Sequence, residues 1–265
     1  MATYSISVFI LTRNSAATLK DTLESVKNFD DIIICDGGST DETLNIAGEY
    51  GARIIPQPVH CLDSAGRISD FSCVRNACVA ETKYDWVLYV DSDEEISEEL
   101  GKELLEIATN PIPEIFIWWI PRKYYLGKEL IECSIGYPNS QLRFFNKKHI
   151  KGFVKPIHER IDWDPKEKAA TTRHFMYIDL PSLEIIKKKT RHYLELEEQK
   201  LAKADGPELR RGIIRTLRAM AGIVLRLRNV IFCRGKRSPF GYEWTRVYYN
   251  YKLLTILFRK LLASK

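Results

Sequence analysis

Five absences bound this chain. No stretch of about eighteen residues is free of charge, so no transmembrane helix is expected. None of the six cysteines (Cys35, Cys61, Cys73, Cys78, Cys133, Cys233) forms a Cys-x-x-Cys pair. They read as reduced cytosolic thiols, several in core positions, and Cys61, Cys73 and Cys78 lack the histidine spacing of a zinc site. The polar turn Thr12-Arg13-Asn14-Ser15 contains no glycine. A nucleotidyltransferase would place a glycine-rich phosphate loop ending in a basic residue there. Met1-Ala2-Thr3-Tyr4 carries no charged-then-apolar leader, so a secretory signal is not expected. The net charge of +5 and the arginine-rich tail leave a non-catalytic basic membrane- or RNA-binding module as an alternative class. That charge is modest and no nucleic-acid motif is present, so nucleic acid is not an expected partner.

A chain of 265 residues at 45% hydrophobic content can bury a full core and fits one α/β domain with an appendage. Ile6-Ser7-Val8-Phe9-Ile10-Leu11 reads as a buried strand, and Leu19, Leu23 and Val26 recur at helical spacing after it. Ile32-Ile33-Ile34-Cys35 is a second strand, running into Asp36-Gly37-Gly38-Ser39-Thr40-Asp41. Its glycines permit a tight turn, and Ser39 or Thr40 can cap the next helix. Arg53–Pro56 is a third strand. A helix over Arg67 to Ala80 precedes the run Trp86–Val90. Alternating strands and helices predict right-handed crossovers and a mostly parallel sheet. Thr12, Asp36 and Asp91 each follow a strand, so they should gather along one edge.

At that edge Asp91-Ser92-Asp93 directly follows an apolar strand. Two carboxylates one residue apart, at the carboxyl end of a sheet, offer hard oxygen ligands of the kind that select Mg²⁺ or Mn²⁺. The alternative is a loop of solvated acids, since Glu94, Glu95, Glu98 and Glu99 follow closely.

Ile10-Leu11-Thr12-Arg13-Asn14, Asp36-Gly37-Gly38-Ser39-Thr40-Asp41, Arg75-Asn76 and Asp91-Ser92-Asp93 together resemble the family 2 glycosyltransferases of GT-A fold. Tyr137-Pro138-Asn139-Ser140-Gln141-Leu142-Arg143-Phe144-Phe145 and Ile157-His158-Glu159 look like the branch that includes lipopolysaccharide-core β-1,4-glucosyltransferases. The resemblance covers residues 5 to 180 well and the tail more loosely. It implies an α/β, Rossmann-like GT-A domain over residues 1–182, with a nucleotide-sugar half (1–95) and an acceptor half (96–182). Residues 183–265 follow as a basic amphipathic helical region.

The resemblance also implies roles. Thr12, Asn14, Asp36 and Asp41 are the candidate nucleotide contacts, although an acid at Asp41 suits a first helical turn whatever its function. Arg67 and Arg75 could reach the diphosphate; a solvated helix face is the alternative for Arg67. Asp93 would hold a divalent cation, Mn²⁺ or Mg²⁺, with Asp91 contacting ribose or sharing the metal. The Glu-Asp pair and the Gln-x-x-Arg-Trp motif found in many relatives are not evident. Glu159 is therefore the candidate base and His158 a metal, phosphate or positioning group; a structural pairing of Glu159 with Arg143 or Arg160 is the alternative. Gln141 and Arg143 are candidates for the acceptor pocket. The implied reaction is inverting and metal-dependent. It moves sugar from a nucleotide sugar, a UDP-sugar by resemblance, to a glycolipid, polysaccharide or lipopolysaccharide acceptor. A protein or peptide acceptor is the alternative within the family.

In the tail, Ile213, Leu217, Met220, Val224, Leu227 and Ile231 form an apolar stripe, with Arg211, Arg215, Arg218 and Arg226 largely opposite. Val247, Tyr251, Leu254, Phe258 and Leu261 repeat the pattern. Such helices suit an anionic membrane surface, here its cytoplasmic face, or pack on the catalytic domain or a second subunit.

Overall fold

The computed structural model describes residues 4–127, 129–156 and 159–263. In chain order the elements are β1 (Tyr4–Thr12), α1 (Leu19–Val26), β2 (Phe29–Asp36), α2 (Thr43–Glu49), β3 (Arg53–Pro56), α3 (Phe71–Ala80), β4 (Trp86–Asp91), β5 (Glu94–Ile96) and α4 (Glu98–Thr109). Then come β6 (Ile117–Leu126), β7 (Glu129–Ile131), β8 (Asn139–Asn146), β9 (Ile150–Val154), β10 (Arg160–Trp163), β11 (Ala169–Thr171) and β12 (Met176–Asp179). The helices α5 (Leu183–Lys200), α6 (Gly206–Ile231) and α7 (Phe240–Ala263) complete the chain.

The chain divides into two compact units. One holds the chain up to Arg122 with Asn139–Ile178; the other holds Lys123–Pro138 with the chain from Asp179 onward. The sequence-based boundary at 182 lies close to the third crossing, after Ile178, but Lys123–Pro138 groups with the tail instead of with the first domain. The reason is local bonding. Glu132 and Cys133 both donate their amides to the Lys236 carbonyl, and Cys133 is bonded to Cys233.

The first unit is built on a sheet of order β3-β2-β1-β4-β8-β6-β12-β5. The first four strands are mutually parallel, as the alternating pattern predicts. From β8 onward the sheet becomes mixed: β8 runs antiparallel to both β4 and β6, and β12 to β5. The parallel strands are apolar on both faces. Ile6, Val8, Ile10, Ile32, Ile34, Leu88 and Val90 pack with α1 and α4, including Leu23 and Leu104. The alternate residues Phe9, Ile33, Cys35, Val87 and Tyr89 pack with Val74 and Cys78 of α3 and with Phe145 and Phe153. A strand covered on both sides reads as a continuous apolar run, which is why these strands were legible.

The helix expected from Arg67 begins instead at Phe71. Asp70 accepts the Cys73 amide at 3.0 Å as its N-cap. Residues before it turn about Asp63, whose carboxylate takes the Ala65 and Arg67 amides. In the second unit Leu201, Leu209, Ile213, Leu253 and Leu257 form the core of three helices. Asp205 and the following Gly206-Pro207, a break in the sequence pattern, cap and open α6. Among the described residues no helix is long and apolar enough to cross a membrane.

Candidate active site

Register decides which strand ends meet. Thr12 of β1 is opposite Asp36 of β2, and Leu11 is opposite Asp91 of β4, so the three polar ends share one edge. At the β1–β2 end, Asp36 is the organiser. Its Oδ1 accepts from Thr12 Oγ1 at 2.9 Å and from Ser39 Oγ, and its Oδ2 from the amides of Gly38 (2.8 Å) and Ser39 (2.7 Å). Four donors occupy the lone-pair sites of one carboxylate. In this arrangement Asp36 shapes the turn instead of presenting an open acceptor to a base or ribose. Gly37 has no room for a side chain, because a Cβ there would lie 2.8 Å from Gln57 Oε1. Gln57 itself holds the Thr12 and Cys35 carbonyls.

Asn14 and Asp41 join the two loops. Asn14 adopts a left-handed φ of 52°, its amide bonds Ser39 Oγ at 2.8 Å, and its side-chain oxygen takes the Thr40 amide at 2.8 Å. Asparagine tolerates that conformation better than most residues. Asp41 accepts the Ala16 amide and both the amide and hydroxyl of Thr43. The loops bearing the candidate nucleotide contacts are thus stapled together before any ligand arrives.

At the β4 end the carboxylates meet guanidinium groups. Asp91 Oδ1 lies 3.3 Å from Arg75 Nη2, and its Oδ2 lies 2.7 Å from Arg143 Nη2. Arg143 also reaches Glu94 at 2.8 Å, and Arg122 reaches Glu94 at 3.1 Å. Arg75 continues to Glu159 at 2.8 Å. Both Arg75 and Arg143 lie against the Tyr89 ring, 4.5 and 4.3 Å from its centroid. Burial alone would raise the Asp91 carboxyl, but Arg143 and Arg75 outweigh it and hold it well below the usual carboxylate range. Burial pushes Glu94 upward, against the pull of Arg143. Three carboxylates (Asp91, Glu94, Glu159) are therefore matched by three guanidiniums (Arg75, Arg122, Arg143).

Several expectations change here. Arg75, expected at a diphosphate, is buried and bridges Asp91 to Glu159. Arg143, expected in an acceptor pocket, is buried as the link between Asp91 and Glu94. Gln141 is exposed on β8. The suggested partners of Glu159, Arg143 or Arg160, give way to Arg75. Arg67 lies on the Asp63 turn, with its side chain 73% exposed and paired to Asp63 at 3.0 Å. That turn is tied to the β1 end, because Arg13 donates to the Gly66 carbonyl at 2.6 Å. Asp93 sits exposed on the turn between β4 and β5. His158 lies outside the described residues. Glu94, read as one of several solvated acids, is instead buried; its position three residues after Asp91 was the available signal.

The residues present fit a hard divalent cation. The donor set is carboxylate oxygen, and Asp91 keeps 39% of its side-chain surface exposed although both oxygens are engaged. Asp93 adds a further acid two residues on, at the exposed turn.

The cysteines differ from expectation. Cys61 is bonded to Cys73 and Cys133 to Cys233. Cys35 and Cys78 remain as buried thiols within the apolar layer under α3. The triad Cys61, Cys73 and Cys78 is therefore not assembled; His60, Cys61 and Cys73 are the residues that lie together.

Residues 7–161 match the sequence model described as Glycosyl transferase family 2. An uncharacterized glycosyltransferase of Rickettsia bellii is 32% identical over 150 residues, covering 56% of this chain and 48% of that protein. One from Rickettsia typhi is 40% identical over 145 residues, covering 54% and 47%. The chain spans about half the length of these relatives. Among solved structures, S. aureus TarS 1-349 in complex with UDP gives a TM-score of 0.49 at 14% identity, covering 97% of this chain and 91% of that one. Glucosyl-3-phosphoglycerate synthase from Mycobacterium tuberculosis in complex with Mn²⁺ and UDP-glucose gives 0.36 at 24% identity, covering 46% and 44%.

Proposed function

The chain belongs to glycosyl transferase family 2, and from that premise we propose an inverting, metal-dependent glycosyltransferase that moves a hexose from a UDP-sugar to a glycolipid or surface-polysaccharide acceptor. Within the family, the motif from Tyr137 to Phe145 supports the lipopolysaccharide-core glucosyltransferase branch. The observation that carries the reading is the placement of charge at the strand ends. The charges of the buried cluster around Asp91 are matched, and a second acid, Asp93, lies two residues on at the exposed turn.

In this reading the nucleotide lies along the edge formed by Thr12–Asn14 and Asp36–Asp41. The turn there is already ordered, so little conformational entropy is lost on binding. Asp93 and Asp91 would hold the divalent cation, which would supply positive charge to offset the charge on the departing nucleoside diphosphate. Arg67, on an exposed turn tied to β1, supplies a guanidinium for phosphate oxygens. Glu159 accepts the proton of the acceptor hydroxyl. Arg75 holds its Oε1, and among the described residues Oε2 has no partner, which leaves that oxygen for the proton.

The second unit is assigned to an anionic membrane surface as a peripheral contact. On α6 the side chains of Leu217, Val224, Leu227 and Ile231 are exposed, with Leu225 at 70% and Phe232 beyond the helix at 81%. Arg218 and Arg228 are exposed on the same helix. On α7 Trp244, Tyr251 and Phe258 are exposed. Apolar side chains interleaved with arginines suit an interface of headgroup and acyl chain.

A thermal-shift panel of UDP, GDP, CDP and dTDP, with Mn²⁺ or chelator, tests the donor reading on wild type and Asp93→Ala. Saturation at a hundredfold the dissociation constant adds about 2.7 kcal/mol, roughly 5 to 10 °C for a chain of this size. A shift with one nucleotide that requires both metal and Asp93 is expected. No shift with any nucleotide, in folded protein, overturns the reading.

A further inference from the structure

The second unit holds an open-mouthed cavity of about 460 Å³, within the range that accommodates a small-molecule ligand. It lies among α5, α6, α7 and the segment from Ile131 to Gly136. Its walls are unlike those of a helical core. Tyr124, Tyr193, Tyr242 and Tyr249 line it, together with Arg226 and Arg246.

The two arginines have no carboxylate partner among the described residues, and no described acid lines the cavity. Arg226 donates through Nε to the Gly222 carbonyl at 3.0 Å. The Arg246 guanidinium lies 5.9 Å from the Tyr124 ring centroid and donates to no described residue. The nearest acid in sequence, Glu243, accepts the Ile135 amide at 3.3 Å and makes no ion pair with Arg246. Two half-buried cations in one cavity, neither ion-paired to a described acid, favour a ligand that brings negative charge.

Gly136 is part of the same arrangement. A Cβ there would lie 2.6 Å from Arg246 Cζ, so the absent side chain is what lets the guanidinium lie over that backbone. Tyrosines add flat apolar faces for a ring together with hydroxyls for its substituents. Cations and tyrosine rings in one cavity match a ligand that carries both an anion and a ring.

We propose that this cavity binds a phosphorylated sugar, with its phosphate against Arg226 and Arg246 and its ring among the tyrosines. The anion part rests on the cavity alone; the choice of a sugar ring rests on the transferase reading. The same chemistry is presented by a free sugar phosphate and by a sugar phosphate carried on a lipid.

Isothermal titration of the full chain with a panel of hexose 1- and 6-phosphates tests this. Free glucose, inorganic phosphate and an alkyl ester of glucose 1-phosphate complete the set. At least one sugar phosphate is expected to bind wild type at least tenfold more tightly than glucose or phosphate. Arg246→Gln is expected to weaken it at least tenfold. Gly136→Ala, which displaces the same guanidinium from the other side, provides the second variant should Arg246→Gln fail to fold. Preference for the free monoester identifies a soluble ligand, and preference for the alkyl ester a lipid-borne one; both uphold the site. Absence of binding by every sugar phosphate, or equal binding by wild type and folded variants, overturns it. Nucleotide binding measured in the same samples separates the two readings. Its loss in wild type strikes the donor site and leaves the cavity result standing.

Discussion

Arg75 Nε lies 2.8 Å from Glu159 Oε1, joining residues 84 apart in the chain, and the same guanidinium reaches Asp91 at 3.3 Å. One side chain therefore sets the position of the candidate base relative to the end of β4. The planar fork of arginine can serve both carboxylates at once, whereas the point charge of lysine serves them less well.

Arg75→Lys is accordingly expected to lower kcat about tenfold or more while leaving the donor KM within about threefold, a misplacement effect of the kind that positioning residues show. Steady-state kinetics with a fixed acceptor measure both. A rise in donor KM with kcat unchanged would return Arg75 to the diphosphate.

Arg143 is buried between Asp91 and Glu94. Arg143→Met strands Glu94 with Arg122 alone and is expected to cost about 3 to 5 kcal/mol in urea unfolding, the cost of breaking a buried pair from one side. A loss under about 1 kcal/mol would mean that water already satisfies the cluster.

Asp93→Asn should behave in the opposite way. At an exposed turn it is expected to change stability by no more than about 0.5 kcal/mol, yet to abolish the extra stabilisation that metal gives to bound nucleotide. Differential scanning calorimetry with and without chelator reads both quantities from one sample.

Acid sensitivity follows from Asp91, whose carboxyl is held below its ordinary value in the folded state. Such a group stabilises the fold above its unfolded pKa of about 3.9, and that contribution fades as pH falls toward the folded value. Glu94, raised by burial, acts with the other sign, gaining relative to the unfolded chain as it takes up a proton. Urea unfolding between pH 3 and 7 is expected to show wild type losing its advantage over Asp91→Asn below about pH 4. Parallel curves would remove Asp91 from the acid response.

The Cys133–Cys233 bond spans a sequence separation of 100 and ties Lys123–Pro138 to the tail. Replacing both cysteines by serine is expected to cost about 2 to 4 kcal/mol, mostly through the freed unfolded chain. Reductant should then have a much smaller effect on the melting of the double variant than on wild type.

The parallel half of the sheet was legible because β1, β2 and β4 are apolar on both faces and each ends in a polar turn. The edge shared by Thr12, Asp36 and Asp91 followed from that alternation alone. The start of α3 was misplaced because the helix was read from Arg67, while the start signal was the N-cap at Asp70 after the turn about Asp63. The cysteine pairs were missed because spacing carries no information on which thiols meet across a fold.

The sequence by itself determined the strand-and-helix order up to β4, the polar edge and the family, since these rest on short-range periodicity and contiguous motifs. Only the tertiary structure decided what each charged side chain does. Asp36 is spent on its own turn, Arg75 and Arg143 are drawn inside, and Glu94 is buried while Asp93 stays at the surface. Those outcomes depend on which guanidinium meets which carboxylate across separations of 16 to 84 residues. That choice is made by strand register and the packing around Tyr89, where burial makes each unmatched charge costly.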